Sequence, residues 1–458
     1  MLALGVATAC LLVLAGPVAS ASAQEASPYA PGEILVRYEA LPVAAARAAE
    51  RPRARTASVT VAAHTTLLHV APDTDVAALL AHLRSERGVA WAVPDYVAHA
   101  AGAFIPDDEG VRGAGPGGWE KYQWNFSGQF GVGAPEAWGN LIADGHPGGQ
   151  GVTVAVLDTG VAYANRPPFR LSPDFSRYQF VHGYDFVAHN SYPNDRNGHG
   201  TFVAATIAEE TDNHYGLTGL AYGARIMPVR VLDSEGEGEA STIAEGVFFA
   251  VRHGARVINL SLEFSPGVTA GDIPELIEAL RYAHRRGVLV VAAAGNEGHA
   301  VVAYPARAPY VVSVGATTEH GCLASYSNDG SGLTLVAPGG GPDADLPGDP
   351  NCRPELAAGK DVFQVTFAGS SPKRFGIPSG YEGTSMATPH VAATAALVIA
   401  SGVLGPHPTP GAIVARLQAT ARKLGGGGDE RLYGAGLVDA AAATAPGGPG
   451  AATARAGG

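Results

Sequence analysis

Lysine is scarce in this chain. It occurs only at Lys121, Lys360, Lys373 and Lys423, and 30 basic residues face 42 acidic ones for a formal net charge of −12. That sign works against a phosphate-binding face, so nucleic acid is not an expected partner. Charge of either sign is thin, at 16% of the residues against 46% hydrophobic, which excludes disorder along the whole chain. Long apolar runs are also lacking. The nearest approach is Val391–Leu404, shorter than the ~20 residues a bilayer needs and set just after Pro389. It reads as a buried core helix, and no membrane partner is expected. His-Glu-x-x-His and clustered histidines are absent, against a metallohydrolase. Gly-x-Ser-x-Gly is absent too, which weakens a lipase.

Glycine, at 61, and proline, at 33, are plentiful and imply many turns and close backbone approaches. Residues 1–23 carry no charge, contain the apolar run Cys10–Leu14 and close on Ala21-Ser22-Ala23. That is the pattern of a secretory signal peptide, without the usual basic residue at its start, and it predicts a secreted, extracellular protein. Once Cys10 is removed, Cys322 and Cys352 remain as an even pair suited to a disulfide; two free buried thiols are the alternative.

Residues 24–100 read as a small α+β domain. Gly32–Tyr38, Thr66–Val70 and Val89–Val93 are strand candidates, and Asp75–Arg84 has helical spacing. Residues 101–119 are Gly-rich and polar, as a linker would be. The main block, 120–444, alternates apolar runs (Val152–Leu157, Arg225–Leu232, Val257–Leu262, Val288–Ala294, Val311–Val314) with helical segments such as Ser241–His253 and Ile273–Arg286. Strands apolar on both faces and separated by helices predict an α/β fold, a parallel sheet covered on both sides. Residues 445–458 read as a disordered tail.

Four polar residues punctuate this block. Asp158 closes the first strand, where ligands gather in a parallel sheet, although an Asp there equally caps a turn. His199 lies in Asn-Gly-His-Gly-Thr, with open space on either side for an imidazole that exchanges protons. Asn296, in Ala-Gly-Asn-Glu-Gly just past another strand, can donate to a developing oxyanion or merely make a turn. Ser385, in Gly-Thr-Ser-Met-Ala-Thr-Pro-His, enters a helix beside a glycine, as a nucleophile or as a capping serine.

Taken together, in the order Asp, His, Asn, Ser, these segments resemble the subtilisin-like (subtilase, S8-type) serine proteases over about 120–444. Further matching runs are Tyr304-Pro305-Ala306, Val336-Ala337-Pro338-Gly339 and Gly434-Ala435-Gly436-Leu437-Val438-Asp439. The resemblance implies a three-layer fold, a triad of Asp158, His199 and Ser385, and Asn296 in the oxyanion hole. It implies substrate binding along Leu260, Ser261, Leu262 and Glu263 and along Ala293, Ala294 and Gly295. The 24–100 domain resembles the inhibitory propeptide of that family, so autocleavage is expected within about 99–119. Protein and peptide substrates, the chain's own propeptide as intramolecular inhibitor and a monomeric state follow as expected partners. No cofactor is needed for the chemistry; structural calcium is implied, with Asp195 as a contributor but no complete oxygen-ligand set.

Departures from the family pattern are informative. Glu263 stands where Gly is common and is expected to narrow the specificity pocket or favour basic side chains. Phe202 and Ala205 replace a His and a Gly and are expected to alter packing alone. The 43 residues between Gly339 and Gly383 exceed a minimal member's length and are expected to shape one side of the cleft. A catalytically silent peptide-binding protein is the rival reading, and the intact quartet argues against it.

Overall fold

A computed structural model describes residues 29–39, 58–62, 64–70, 74–96, 103–356, 358–369, 371–426 and 429–447. The expected signal peptide, residues 101–102 and most of the expected tail (448–458) lie outside the described residues. The chain divides into two units, Met1–His99 and Ala100–Gly458.

In the first unit, strands β1 (Tyr29–Tyr38), β2 (Ser58–Ala62) and β3 (Thr65–His69), helix α1 (Val76–Ser85) and strand β4 (Val89–Tyr96) follow in order. The strands form an antiparallel sheet in the order β2-β3-β1-β4. Alternation along β1 sends Ile34 and Val36 inward, where they meet Leu80 and Leu83 of α1 and Ala92 of β4. Asp75 starts the helix by accepting a hydrogen bond from the Ala78 N–H. β2 was not among the expected strands, although its Val59-Thr60-Val61 run is β-branched.

The second unit carries the seven-stranded sheet. In chain order its main elements are α2 (Ala134–Ala143), β5 (Thr153–Asp158), β6 (Tyr184–Asp185), α3 (His199–Ala208), β7 (Arg225–Arg230), α4 (Ala240–Arg252), β8 (Val257–Leu260), α5 (Pro274–Arg285), β9 (Leu289–Ala293), β10 (Val311–Thr317), β11 (Leu335–Pro338), α6 (Thr384–Ala400) and α7 (Pro410–Thr420). The strand order is β11-β10-β9-β8-β5-β7-β6, with every pairing parallel. Successive strand residues face opposite layers. Val154, Val156, Val291 and Val314 pack in one core with α2, α3, α6 and α7; Ala155, Leu157, Val290 and Ala292 pack in another with α4 and α5. The expected three-layer α/β architecture is therefore present. From β5 the chain first builds outward through β6 and β7, then returns to β5's other side with β8. The strand order reverses beside β5, which makes its carboxyl end the place for a ligand crevice.

The stretch expected to be a linker is ordered from residue 103 and belongs to this unit. Phe104 N–H donates to the Pro135 carbonyl, the Trp119 indole is buried and donates to the Pro106 carbonyl, and Asp108 is buried. Apolar anchors, Phe104 and Trp119, outweigh the local glycine content. Cys322 and Cys352 are bonded. Among the described residues no helix is long and apolar enough to cross a membrane.

Candidate active site

β5 ends on Asp158, whose side chain is fully buried. Its Oδ1 accepts from the Thr159 N–H at 2.7 Å and lies 2.8 Å from His199 Nδ1. His199 is the first residue of α3, and a quarter of its side chain is exposed. The helix can approach the strand this closely because Gly200 has no side chain: a Cβ there would lie 2.2 Å from the Gly160 carbonyl oxygen and 3.0 Å from Asp158 Oδ1. Burial disfavours the imidazolium, but the charge of Asp158, its hydrogen bond and the charge of Asp195 outweigh it, and the His199 pKa is raised.

Asp195 does not play the part expected of it. Its Oδ1 accepts from Thr159 Oγ1, Asn197 N–H and Gly198 N–H, and its Oδ2 from the N–H and hydroxyl of Thr201. Five donors at 2.6–3.0 Å fill a carboxylate that is 1% exposed, leaving no room for a metal. It anchors the turn that presents His199. The motif spacing placed it near the histidine, but nothing in the sequence distinguished an anchor from a ligand.

Ser385 is the second residue of α6, after Gly383 at φ 146° and Thr384. Its hydroxyl donates to the Ser261 carbonyl at 3.2 Å, while Ser261 Oγ donates to the Ser385 carbonyl at 2.8 Å. Ser385 and His199 line one cleft of about 520 Å³ that also holds Ser261, Leu262, Glu263, Glu235 and Glu237. Asn296 lies just past β9. Its Oδ1 accepts from the N–H and hydroxyl of Thr384 at 2.8 and 3.0 Å, so the residue before Ser385 fixes the amide's orientation. Its Nδ2 and backbone N–H donate to the Glu263 carboxylate at 2.9 and 3.1 Å. Neither the Thr384 contact nor the Glu263 contact was legible in the sequence, because both join segments distant along the chain.

Of the expected substrate-binding residues, Ser261, Leu262 and Glu263 line the cleft. Leu260, Ala293 and Ala294 are buried in the layers beneath, and Gly295, at φ 112°, turns the chain toward Asn296. His390 of the serine motif is structural: Nδ1 donates to the Met386 carbonyl, Nε2 accepts from the Asn125 amide, and burial lowers its pKa to about 4. Phe202 stacks on Tyr381 at 4.3 Å, and Ala205 is fully buried, both packing roles as expected. From the long 340–382 segment, Thr366 Oγ1 donates to the Gly198 carbonyl, so that segment braces the turn before His199.

A structural cation was implied by the resemblance. Among the described residues no three His, Cys, Asp or Glu side chains form a metal cluster. Elsewhere two buried acids, Asp108 and Asp174, share Asn213 as a donor. Asp174 is fully buried, and its Oδ1 accepts from Asn213 Nδ2 and its Oδ2 from Leu217 N–H. Asp108 accepts from the Asp212 and Asn213 N–H groups. Burial raises both pKa values, that of Asp108 to about 7, and a Cβ on Gly216 would lie 1.9 Å from Asp174 Oδ2.

Residues 149–436 match the Subtilase family (Peptidase S8), and residues 15–95 match the fervidolysin N-terminal prodomain. Subtilisin Savinase of Lederbergia lenta is 40% identical over 65% of this chain and 91% of its own length. The thermophilic serine proteinase of a Bacillus species is 35% identical over 72% of this chain and 67% of its own. A protease from Pseudoalteromonas arctica superposes with a TM-score of 0.59 at 31% identity, covering 74% of this chain and 99% of that one. The parallel sheet, the quartet gathered at its carboxyl edge and these matches lead to one assignment: the chain belongs to the subtilase family of serine proteinases and carries an N-terminal prodomain of fervidolysin type.

Proposed function

We propose that this serine proteinase is a secreted endopeptidase that cleaves protein chains through an acyl-enzyme on Ser385, after removal of its own prodomain. The observation that carries the reading is the convergence of Asp158, His199, Ser385 and Asn296 at one cleft of the parallel sheet. A serine hydroxyl is a weak nucleophile at neutral pH, so His199 takes its proton as the Oγ attacks the peptide carbonyl. The Ser385 hydroxyl must leave the Ser261 carbonyl for this step, a rotation about one side-chain bond. His199 then gives the proton to the leaving amine. A water repeats the sequence to release the acid. Asp158 holds the imidazole tautomer through Nδ1 and stabilises the transient imidazolium. Charge develops on the former carbonyl oxygen, and the Ser385 backbone N–H and the Asn296 side chain, once its Nδ2 leaves the Glu263 carboxylate, are the donors proposed for it.

Loss of that donor in N296A is expected to lower kcat by ~10²–10³ with little change in KM, a magnitude measured on subtilisin itself rather than derived from this geometry. A kcat within tenfold of wild type removes Asn296 from the role. Self-cleavage is expected before residue 103, a reading supported by the packing of Phe104 and Trp119 onto the catalytic unit; a mature N-terminus beyond residue 103 contradicts it. Secretion rests on residues 1–23, and structural calcium rests on the family; the buried Asp108 and Asp174, which share Asn213, are the acids proposed to meet it, tying the segment after the cut to the 209–217 loop.

A further inference from the structure

Glu263 follows Leu262 along the lining of the cleft that holds His199 and Ser385, and it meets the turn at Gly295 and Asn296 that follows β9. Its Oε1 accepts from Asn296 Nδ2 and its Oε2 from the Asn296 backbone N–H, and a Cβ on Gly295 would lie 2.5 Å from Oε2. In the substrate-free enzyme this acid therefore lies against that turn and holds the oxyanion donor. Glu297 is its acidic neighbour and itself accepts from Asn328 Nδ2 at 2.7 Å. Glu235 and Glu237 line the same cleft, whose lining contains no lysine or arginine and only His199 as a base. Burial first, then the charge of Glu297, pushes Glu263 up to about 7 against the two Asn296 hydrogen bonds. Two crowded acids beside a buried wall form a place whose charge is best relieved by a cation.

We propose that Glu263, with Glu297, selects a basic residue immediately before the scissile bond, and that this cation draws the Glu263 carboxylate off Asn296, freeing the donor for the oxyanion. The inference rests on the reading of Asn296 given above. Selection then appears in kcat as well as in KM, because a neutral side chain leaves the donor engaged. Glu263 is thus a positioning and specificity residue.

The test uses mature enzyme and peptides that differ only in Arg, Lys or Leu before the cleaved bond, with wild type, E263Q, E263G, E297Q and N296A. The expected result is a wild-type preference for Arg over Leu of at least about tenfold in kcat/KM, the worth of one charge-assisted pair. E263Q and E263G lose that preference and raise kcat on the Leu peptide, with unchanged thermal melting. Equal cleavage of Arg and Leu by wild type, or an Arg preference that survives in both Glu263 variants, overturns the proposal. A preference that falls while the Leu kcat stays fixed overturns the release of Asn296. An N296A kcat close to wild type on the Arg peptide defeats the oxyanion reading and the release step with it, while the Arg-to-Leu ratio still reports the pocket.

Discussion

At the scale of single residues, His199 is the proposed general base, and its protonation would then set activity. It acts as a base only when neutral, and its pKa is raised above the ordinary 6.5. Activity is therefore lost as pH falls through a value above that figure, and kcat/KM against pH should show its acid limb there. Asp195 makes the sharper prediction. D195N removes one of the two charges that raise His199 and turns one of five satisfied donors against an amide N–H. The expected cost is ~2–4 kcal/mol of stability, together with an acid limb displaced to lower pH. A purely packing role would lower the melting temperature and leave the limb in place. The quartet itself was legible in the sequence because each member sits in a short glycine-containing motif, Asp158 and Asn296 after apolar strands and His199 and Ser385 at helix starts. The contacts that orient them were not. Glu263 to Asn296 joins positions 33 residues apart and Thr384 to Asn296 joins positions 88 apart, and pairings of that range leave no local trace.

At the scale of elements, the five apolar runs and two helices read from periodicity reappear as β5, β7, β8, β9, β10, α4 and α5 with ends shifted by two residues or fewer, except that β10 runs three residues further, to Thr317. β6 and β11 were missed; they have two and four residues, too few to show a period. Residues 103–119 misled for the opposite reason: glycines and acids suggested a linker, whereas Phe104, Trp119 and the buried Asp108 fasten the stretch to the catalytic unit. The disulfide between Cys322 and Cys352 closes a 30-residue loop within that unit. On the chain-entropy account its loss costs about 3.5 kcal/mol. Denaturant melts of the double serine variant should show a shift of that order, and an unchanged midpoint would mean that the surrounding contacts already fix the loop.

For the whole molecule, a net charge of −12 with buried, protonation-prone acids at Asp108 and Asp174 describes a protein short of cations. Chelator should lower the melting temperature by about 5 °C or more, and D174N should abolish that sensitivity. A melt indifferent to chelator withdraws calcium from the account. The central claim, however, is that Ser385 is the nucleophile of an enzyme that matures itself. The direct measurement is intact mass of the full chain and its S385A variant after exposure to a fluorophosphonate. The account predicts one adduct, on the Ser385 peptide, in wild type alone, with the prodomain lost from wild type and retained by S385A. A mature wild type that takes no label, or an S385A protein that still does, would contradict it.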